Sequence, residues 1–259
     1  MGERNTLRIL ALARDLRRRK ARERNGLFVV EGVRAVEELV RSPLRITGAL
    51  ASTELASNYR GASVCDALTA RGVEVTTVTN AEFESAAETE SPQGILAVAE
   101  IPIRALSAPA NAGGTVRILI LDAVQDPGNV GTILRTAAGL GVSATVALPG
   151  TVDLWNAKVV RSAMGAHFLH PALHCTWDEL RLFLDRTSIP LWGADVRGAP
   201  ASRAAAPPRL ALAVGNEGAG LSEPVQQSAE QLVSLPLAVG VESLNVAVAA
   251  SLLLYELRP

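Results

Sequence analysis

Apolar positions along this chain fall into two alternating rhythms. Short runs with strand character stand at Leu27 to Val30, Ile46 to Ala51, Val73 to Val78 and Ile95 to Ala99, and helical stripes separate them at Val33 to Val40, Val64 to Ala70 and Ala81 to Ala87. This alternation predicts a small α/β domain over residues 25–101. Residues 102–115 hold Pro102, Pro109, Gly113 and Gly114 without a strong apolar pattern and read as a linker. A second region, 116–259, opens with Val116 to Leu121, a near-continuous Ile/Leu/Val run suited to a parallel strand covered on both faces. Further strands are expected at Ala144 to Leu148, Ile189 to Val196, Arg209 to Val214 and Leu232 to Leu235. Helices are expected near Leu154 to Met164, Trp177 to Thr187, Ser222 to Ser228 and Ser243 to Leu257. The class is α/β with a mostly parallel sheet.

The first 24 residues differ from the rest. They carry nine Lys and Arg against three Asp and Glu, a net +6 that leaves −7 for everything after them, although the whole chain of 259 residues sums to only −1. Leu7, Leu10, Ala11 and Leu16 give this basic N-terminal arm a partial helical stripe. Clustered cations gain affinity for a polyanion by releasing its counterions, so the arm is either a phosphate-contacting element or a solvated helix face. Composition excludes a disordered or disulfide-stapled chain. The longest apolar run, Val246 to Tyr255, is broken by Ser251 and falls short of the ~20 residues that cross a bilayer. With no cationic, apolar leader at its start, the chain is expected to be cytoplasmic.

Three segments concentrate polar residues at strand-to-helix junctions. In the first, Asp126-Pro127-Gly128-Asn129 feeds a helix whose Val130, Ile133, Leu134 and Ala137 share the core face, leaving Asn129, Thr132 and Thr136 on another face beside Arg135. In the second, the strand ending at Val214 runs into Gly215-Asn216-Glu217-Gly218-Ala219-Gly220, glycines bracketing one carboxylate. The spacing GxxGxG, with no lysine of the phosphate-loop kind after it, supports neither a dinucleotide fingerprint nor a phosphate loop. In the third, Leu235-Pro236 leads through Val239 to Asn245 into an almost entirely apolar helix, for which Ser243 is a natural N-cap.

Segments Gln125 to Gly141, Leu212 to Ser222 and Leu235 to Glu256 resemble, in order and spacing, the three signature motifs of the SpoU (TrmH-like) RNA 2'-O-ribose methyltransferases of the SPOUT superfamily. The front region resembles the substrate-binding domain many of these enzymes carry, through Phe28-Val29-Val30-Glu31-Gly32 and Ser91-Pro92-Gln93-Gly94. The resemblance implies a SPOUT-type parallel sheet with a C-terminal trefoil knot, a departure from the rule that chains avoid threading. It implies an obligate homodimer and S-adenosylmethionine (SAM) as cofactor. The cofactor would be contacted by the loop around Gly215, Asn216 and Gly218, by Leu235 and Pro236, and by Leu244.

The implied reaction carries a sulfonium methyl to a ribose 2'-hydroxyl, so the protein must align the two and manage one proton. Arg135 matches the family's catalytic arginine. A guanidinium stays charged, which favours a clamp on the neighbouring phosphate and a stabiliser of the developing alkoxide over a base. Proton acceptance is left among phosphate, water and Glu217. Asn129, Glu217 and Asn245 match the polar positions of the three motifs, and Ser243 serves as helix cap, site residue or both. The substrate class implied is RNA, ribosomal RNA ahead of tRNA because of the front domain; a catalytically silent RNA-binding relative is the alternative from another class.

His167, His170 and His174 crowd beside Cys175. Pro171 breaks any single helical face that could converge them, so no metal site is expected. Cys65 and Cys175 read as reduced thiols. The neighbouring Arg161-Ser162-Ala163-Met164-Gly165-Ala166 resembles a segment common in the family, in which Arg161 either approaches RNA or covers a helix surface.

Overall fold

A computed structural model describes residues 2–57, 59–106 and 114–258, with the side chains of residues 2–6 left aside. Most of the expected linker, residues 107–113, therefore lies outside the described residues. The chain forms two compact units. The front one holds Met1–Ile103 together with Trp155–Leu169, and the rear one Arg104–Leu154 with His170–Pro259.

The front unit begins with α1 (Gly2–Asp15) and α2 (Arg19–Asn25). It continues through β1 (Leu27–Glu31), α3 (Val33–Arg41), β2 (Ile46–Ser52), α4 (Thr53–Ala56), α5 (Tyr59–Ala70), β3 (Val75–Val78), α6 (Asn80–Ala86) and β4 (Ile95–Glu100). Its sheet has the order β1-β4-β2-β3, antiparallel at β1/β4 and β2/β4 and parallel at β2/β3.

The basic N-terminal segment is part of this unit rather than a separate arm. Leu10, Ala13 and Leu16 are buried in one cluster with Val29, Leu50, Phe83 and Leu96, while Leu7 and Ala11 of the expected stripe face solvent. Several of its cations also have internal work. Arg22 is buried and donates through Nη1 to Leu16 O at 2.7 Å and Arg17 O at 2.9 Å. Arg18 and Arg24 pair with Asp15, and Arg19 pairs with Glu23. Arg8, Arg17 and Lys20 remain exposed.

The rear unit contains β5 (Val116–Leu121), α7 (Pro127–Gly139) and β6 (Ala144–Ala147). The chain then lends α8 (Ala157–Ser162) and α9 (Ala166–Leu169) to the front unit. It returns as β7 (Ala172–His174), α10 (Trp177–Thr187), β8 (Leu191–Pro200), β9 (Arg209–Val214), α11 (Glu223–Ser228), β10 (Gln231–Ser234) and α12 (Val246–Glu256). The loan has an aromatic cause. Trp155 and Phe168 pack on Phe28 of β1, with ring centroids 4.4 and 6.2 Å away, and His167 stacks on Trp155 at 4.0 Å. The expected uninterrupted 116–259 domain is thus interrupted at Trp155–Leu169. The helix expected over Leu154 to Met164 is also shorter, because Asn156 caps α8 by accepting from Lys158 N.

The rear sheet is parallel throughout, in the order β10-β8-β9-β5-β6-β7. From β5 the chain winds outward through β6 and β7 and then returns to the other side for β8 and β9. This makes β5/β9 the topological switch point, the place where open α/β sheets put ligands beyond the carboxyl ends of their strands. Register pairs Leu121 with Val214, so the loops leaving β5 and β9 emerge side by side. Asp122 N donates to Val214 O at 2.9 Å, and Ser222 N donates to the buried Asp122 Oδ2 at 2.6 Å, binding the two loops together. At the far end of the sheet Arg117 is buried and donates to the carbonyls of Leu257, Pro207 and Pro208, which ties the end of α12 to β5. Among the described residues no helix is long and apolar enough to cross a membrane.

Candidate active site

Three loops at the switch point meet through their side chains. Asp126 caps α7 by accepting from Asn129 N at 2.7 Å, and Pro127 takes the first helical position, where its missing N–H costs nothing. This aims the Asn129 side chain out of the first turn. Asn129 Nδ2 donates to Glu217 Oε1 at 3.1 Å, and Asn129 Oδ1 accepts from Asn245 Nδ2 at 2.9 Å. Asn245 Oδ1 in turn accepts from Ala247 N at 2.9 Å and Val248 N at 3.3 Å. Asn245, not Ser243, is therefore the N-cap of α12. Ser243 lies two residues before that cap, exposed, because residues 241–245 continue as irregular chain.

The direction of this relay is fixed at both ends. An ionised carboxylate only accepts, so Asn129 must turn its NH2 to Glu217 and its oxygen to Asn245; the helix amides only donate, so they hold the oxygen of Asn245. Glu217 also accepts from Gln125 N at 3.4 Å and Asp126 N at 3.3 Å. Partial burial raises its pKa, but hydrogen bonds from Asn129 and the backbone N–H groups of Glu217, Gln125 and Asp126 outweigh it and leave the carboxyl below its ordinary value. A carboxylate so held is a weak proton acceptor and a strong anchor.

The Gly215–Gly220 turn has the shape these contacts require. Asn216 and Gly220 exchange backbone hydrogen bonds of 2.9 and 3.0 Å, and a Cβ on Gly215 would lie 2.2 Å from the Gly220 carbonyl carbon, so only glycine fits. Asn216 Oδ1 accepts from Gly218 N and Ala219 N, both at 2.9 Å, while its Nδ2 donates to Ala123 O at 2.9 Å. Asn216 and Gly218 thus shape the turn that presents Glu217.

Beside the switch point, a small cleft of about 120 Å³ opens where the middle of β8, residues 194–196, bulges out of register with β10, at the carboxyl end of β10. Leu235 and Leu244 line it with Ser243, as does Leu237; Pro236 is on the same irregular segment, exposed. The cleft also takes in Asp195, which sequence reasoning missed. Its carboxylate is gripped by Arg197 through Nε at 2.9 Å and Nη2 at 2.7 Å, and this pairing outweighs burial and holds its pKa below the usual value. Asp195 comes just after Gly193, the last β8 residue paired with β9, so the signal in the sequence was a lone carboxylate directly after the apolar run 191–194.

Arg135 is exposed on α7, six residues beyond Asn129 and so about 9 Å farther along the helix axis. The structure unites Asn129, Glu217 and Asn245 and puts Arg135 on the same helix outside their relay. Thr136, on that helix, accepts from Ser251 Oγ of α12 at 3.2 Å. The three histidines diverge. His167 stacks in the front unit, whereas in the rear unit His170 Nε2 bonds Thr145 Oγ1 at 2.8 Å and His174 Nε2 accepts from Leu154 N at 3.3 Å.

Residues 116–255 match the model of the SpoU rRNA Methylase family, and residues 10–97 match that of the MRM3-like substrate binding domain. The chain belongs to the SpoU rRNA methylase family. Among its relatives, the 23S rRNA (guanosine(2553)-2'-O)-methyltransferase RlmP of Bacillus subtilis is 35% identical over 248 residues, covering 95% of this chain and 94% of that protein. The mouse mitochondrial rRNA methyltransferase 3 is 26% identical, over 98% of this chain and 72% of the relative. The AdoMet complex of the SpoU methyltransferase AviRb from Streptomyces viridochromogenes superposes with a TM-score of 0.84 at 26% identity over 96% of each chain. The substrate-binding match starts at residue 10, within α1, in keeping with the burial of that helix in the front unit of this SpoU protein.

Proposed function

We propose that this SpoU-family protein is a SAM-dependent methyltransferase acting on a ribose 2'-hydroxyl of ribosomal RNA. The observation that carries the reading is the Asn245–Asn129–Glu217 relay, which joins one polar residue from each of the three motif segments at the sheet's switch point. A structural neighbour with bound AdoMet and a relative named as a 23S rRNA 2'-O-methyltransferase support it.

The cleft by Leu235 and Leu244 suits the cofactor. Its walls are aliphatic, as the faces of an adenine require. It is bordered by the irregular segment 235–245, where backbone N–H and C=O groups lie outside any sheet ladder and can serve the edge of the ring. Leu235, Leu237 and Leu244 would hold the ring, and the Gly215–Gly220 turn would border the reactive end. When bound, SAM supplies an electrophilic methyl group already activated by its sulfonium charge.

The remaining work falls to side chains of this chain. Asn129, with one amide hydrogen beyond those in the relay, orients the ribose, and Glu217 locks that amide in place. Arg135 clamps the adjacent phosphate and offsets negative charge growing on the 2'-oxygen. Because Glu217 is held ionised by four donors, the hydroxyl proton leaves to the RNA phosphate or to water rather than to Glu217.

The protein works as a homodimer in the cytoplasm, with the carboxyl-terminal segment knotted. Val248, Leu252 and Tyr255 make a half-exposed apolar strip along α12 at i, i+4 and i+7, which supports pairing of two copies there. Deleting the gene and comparing 2'-O-methylated nucleosides in rRNA and tRNA by mass spectrometry tests the reading. Loss of one rRNA modification is expected; an unchanged rRNA profile with loss from tRNA moves the substrate, and no loss in either rejects the activity.

A further inference from the structure

The front unit contains a pocket of about 480 Å³ lined by none of the residues of the relay or the cofactor cleft. Its floor is the start of α3 and the Ser91–Gln93 turn, and its wall is the Arg161–Met164 stretch that Trp155 and Phe168 pin to β1.

The charges in this pocket are unevenly satisfied. Glu31 accepts from Glu88 N and from the Thr89 hydroxyl, Glu37 pairs with Arg60, and Glu38 pairs with Arg41. Among the described residues the side chains of Arg34 and Arg161 form no ion pair or hydrogen bond, and Arg161 Nη1 is fully buried; the half-buried Glu88 carboxylate feels the Arg161 charge without bonding to it. A desolvated guanidinium nitrogen without an acceptor is costly and favours an anion beside it. The α3 start adds to the demand. Gly32 caps it without a side chain, and Gln93 Oε1 takes only Val33 N, at 2.8 Å, leaving the positive end of a nine-residue helix at the pocket.

On the same wall as Arg161, Met164 adds an apolar side chain. Met164 has φ 48° and stands about half exposed, and the following Gly165 has φ 83° with room for no Cβ, which would come within 2.7 Å of Glu38. A non-glycine residue in left-handed backbone persists where its surroundings over-determine it, often where a ligand is gripped.

We propose that this pocket binds one unstacked nucleotide of the RNA substrate. Its phosphate lies against Arg161, Arg34 and the α3 start, its base lies over Met164, and the Gln93 amide and Ser91 hydroxyl face the base edge. The inference rests on the RNA-methyltransferase reading and extends it to a second nucleotide contact built wholly from front-unit residues. The size is within the ~300–1,000 Å³ of small-ligand sites, and a base splayed from the strand is the usual means of sequence-specific RNA recognition.

The test uses the full chain with its cofactor site saturated by S-adenosylhomocysteine. Saturation-transfer NMR with the four 5'-mononucleotides should show contact at base protons for at least one of them, and this should be lost in Arg161→Gln and weakened in Arg161→Lys. In rRNA methylation, Arg161→Gln should raise KM for RNA about tenfold or more, with kcat and cofactor affinity unchanged. Arg34→Gln, at an exposed position, should act in the same direction and carries the test if Arg161→Gln does not fold. Equal mononucleotide contact in the folded variants, or competition by inorganic phosphate with no base contact in the wild type, overturns the proposal. Failure of the wild type to methylate any RNA would instead remove the underlying reading, while the mononucleotide titration would still decide the pocket.

Discussion

Asn245 Nδ2 donates to Asn129 Oδ1 at 2.9 Å across 116 residues of sequence, and the same Asn245 caps α12 through its oxygen. One amide thereby couples the start of the last helix to the residue proposed to orient the ribose. The two duties are separable. Asn245→Ser can still cap the helix but cannot reach Asn129, so its urea midpoint should stay close to wild type while methyl transfer falls at least tenfold. Asn245→Ala should lose the transfer and also about 1 kcal/mol of stability. Equal activity in Asn245→Ser would show that the relay is only structural.

Arg135 lies on the helix that Asn129 begins, but outside the relay, so its removal should leave the cofactor cleft intact. Arg135→Ala is expected to lower methyl transfer by about 100-fold or more, within the range of a lost transition-state donor. Calorimetric titration with SAM should give an unchanged Kd.

Acid stability should depend on His170. Burial, with the Arg104 charge adding, lowers its pKa from 6.5 to about 4, so it is neutral in the fold when the unfolded chain already takes up a proton. Its contribution is therefore level above about pH 6.5, is lost as pH falls from about 6.5 to about 4, and is worth about 2 kcal/mol between pH 7 and pH 5. The lowered Glu217 carboxyl acts in the same sense at lower pH, its stabilisation present above the ordinary carboxylate range and lost below it. Urea midpoints at pH 7 and 5 should converge in His170→Gln relative to wild type.

The cations of the first two helices predict a salt effect with a limited size. Arg8, Arg17 and Lys20 are exposed, whereas Arg22 serves carbonyls and Arg18, Arg19 and Arg24 serve acids. Replacing the three exposed cations by Ala should flatten the dependence of log K for rRNA on log[salt] by up to about 2 units, at ~0.7 per single-strand phosphate contact. Deleting residues 1–24 instead removes Leu10, Ala13 and Leu16 from the core and should unfold the front unit, visible as loss of its cooperative transition.

Much of this was legible in the sequence, for identifiable reasons. Strands such as Val116–Leu121 and Arg209–Val214 are buried on both faces and announce themselves by unbroken apolar runs. Asn129, Glu217 and Asn245 stood at strand-to-helix junctions, where a polar residue serves equally well as a cap, and it was the joint resemblance of the three segments to the SpoU motifs that singled them out. Long-range packing was not legible. Nothing local in Trp155 or Phe168 says that their partner is Phe28, so the transfer of Trp155–Leu169 to the front unit could not be read. The cap of α12 was misplaced because Ser243 and Asn245 are equally good caps in isolation, and the bond to Asn129 fixes the choice. The three-residue β7 was too short for any periodicity to show.

The most direct measurement is transfer from methyl-labelled SAM to purified rRNA, followed by digestion to nucleosides and mass spectrometry. Label on the ribose 2'-oxygen of a single nucleotide, reduced about 100-fold or more with Arg135→Ala, is the predicted result. Label on a base, or none in any rRNA under conditions where SAM binds, would contradict the account.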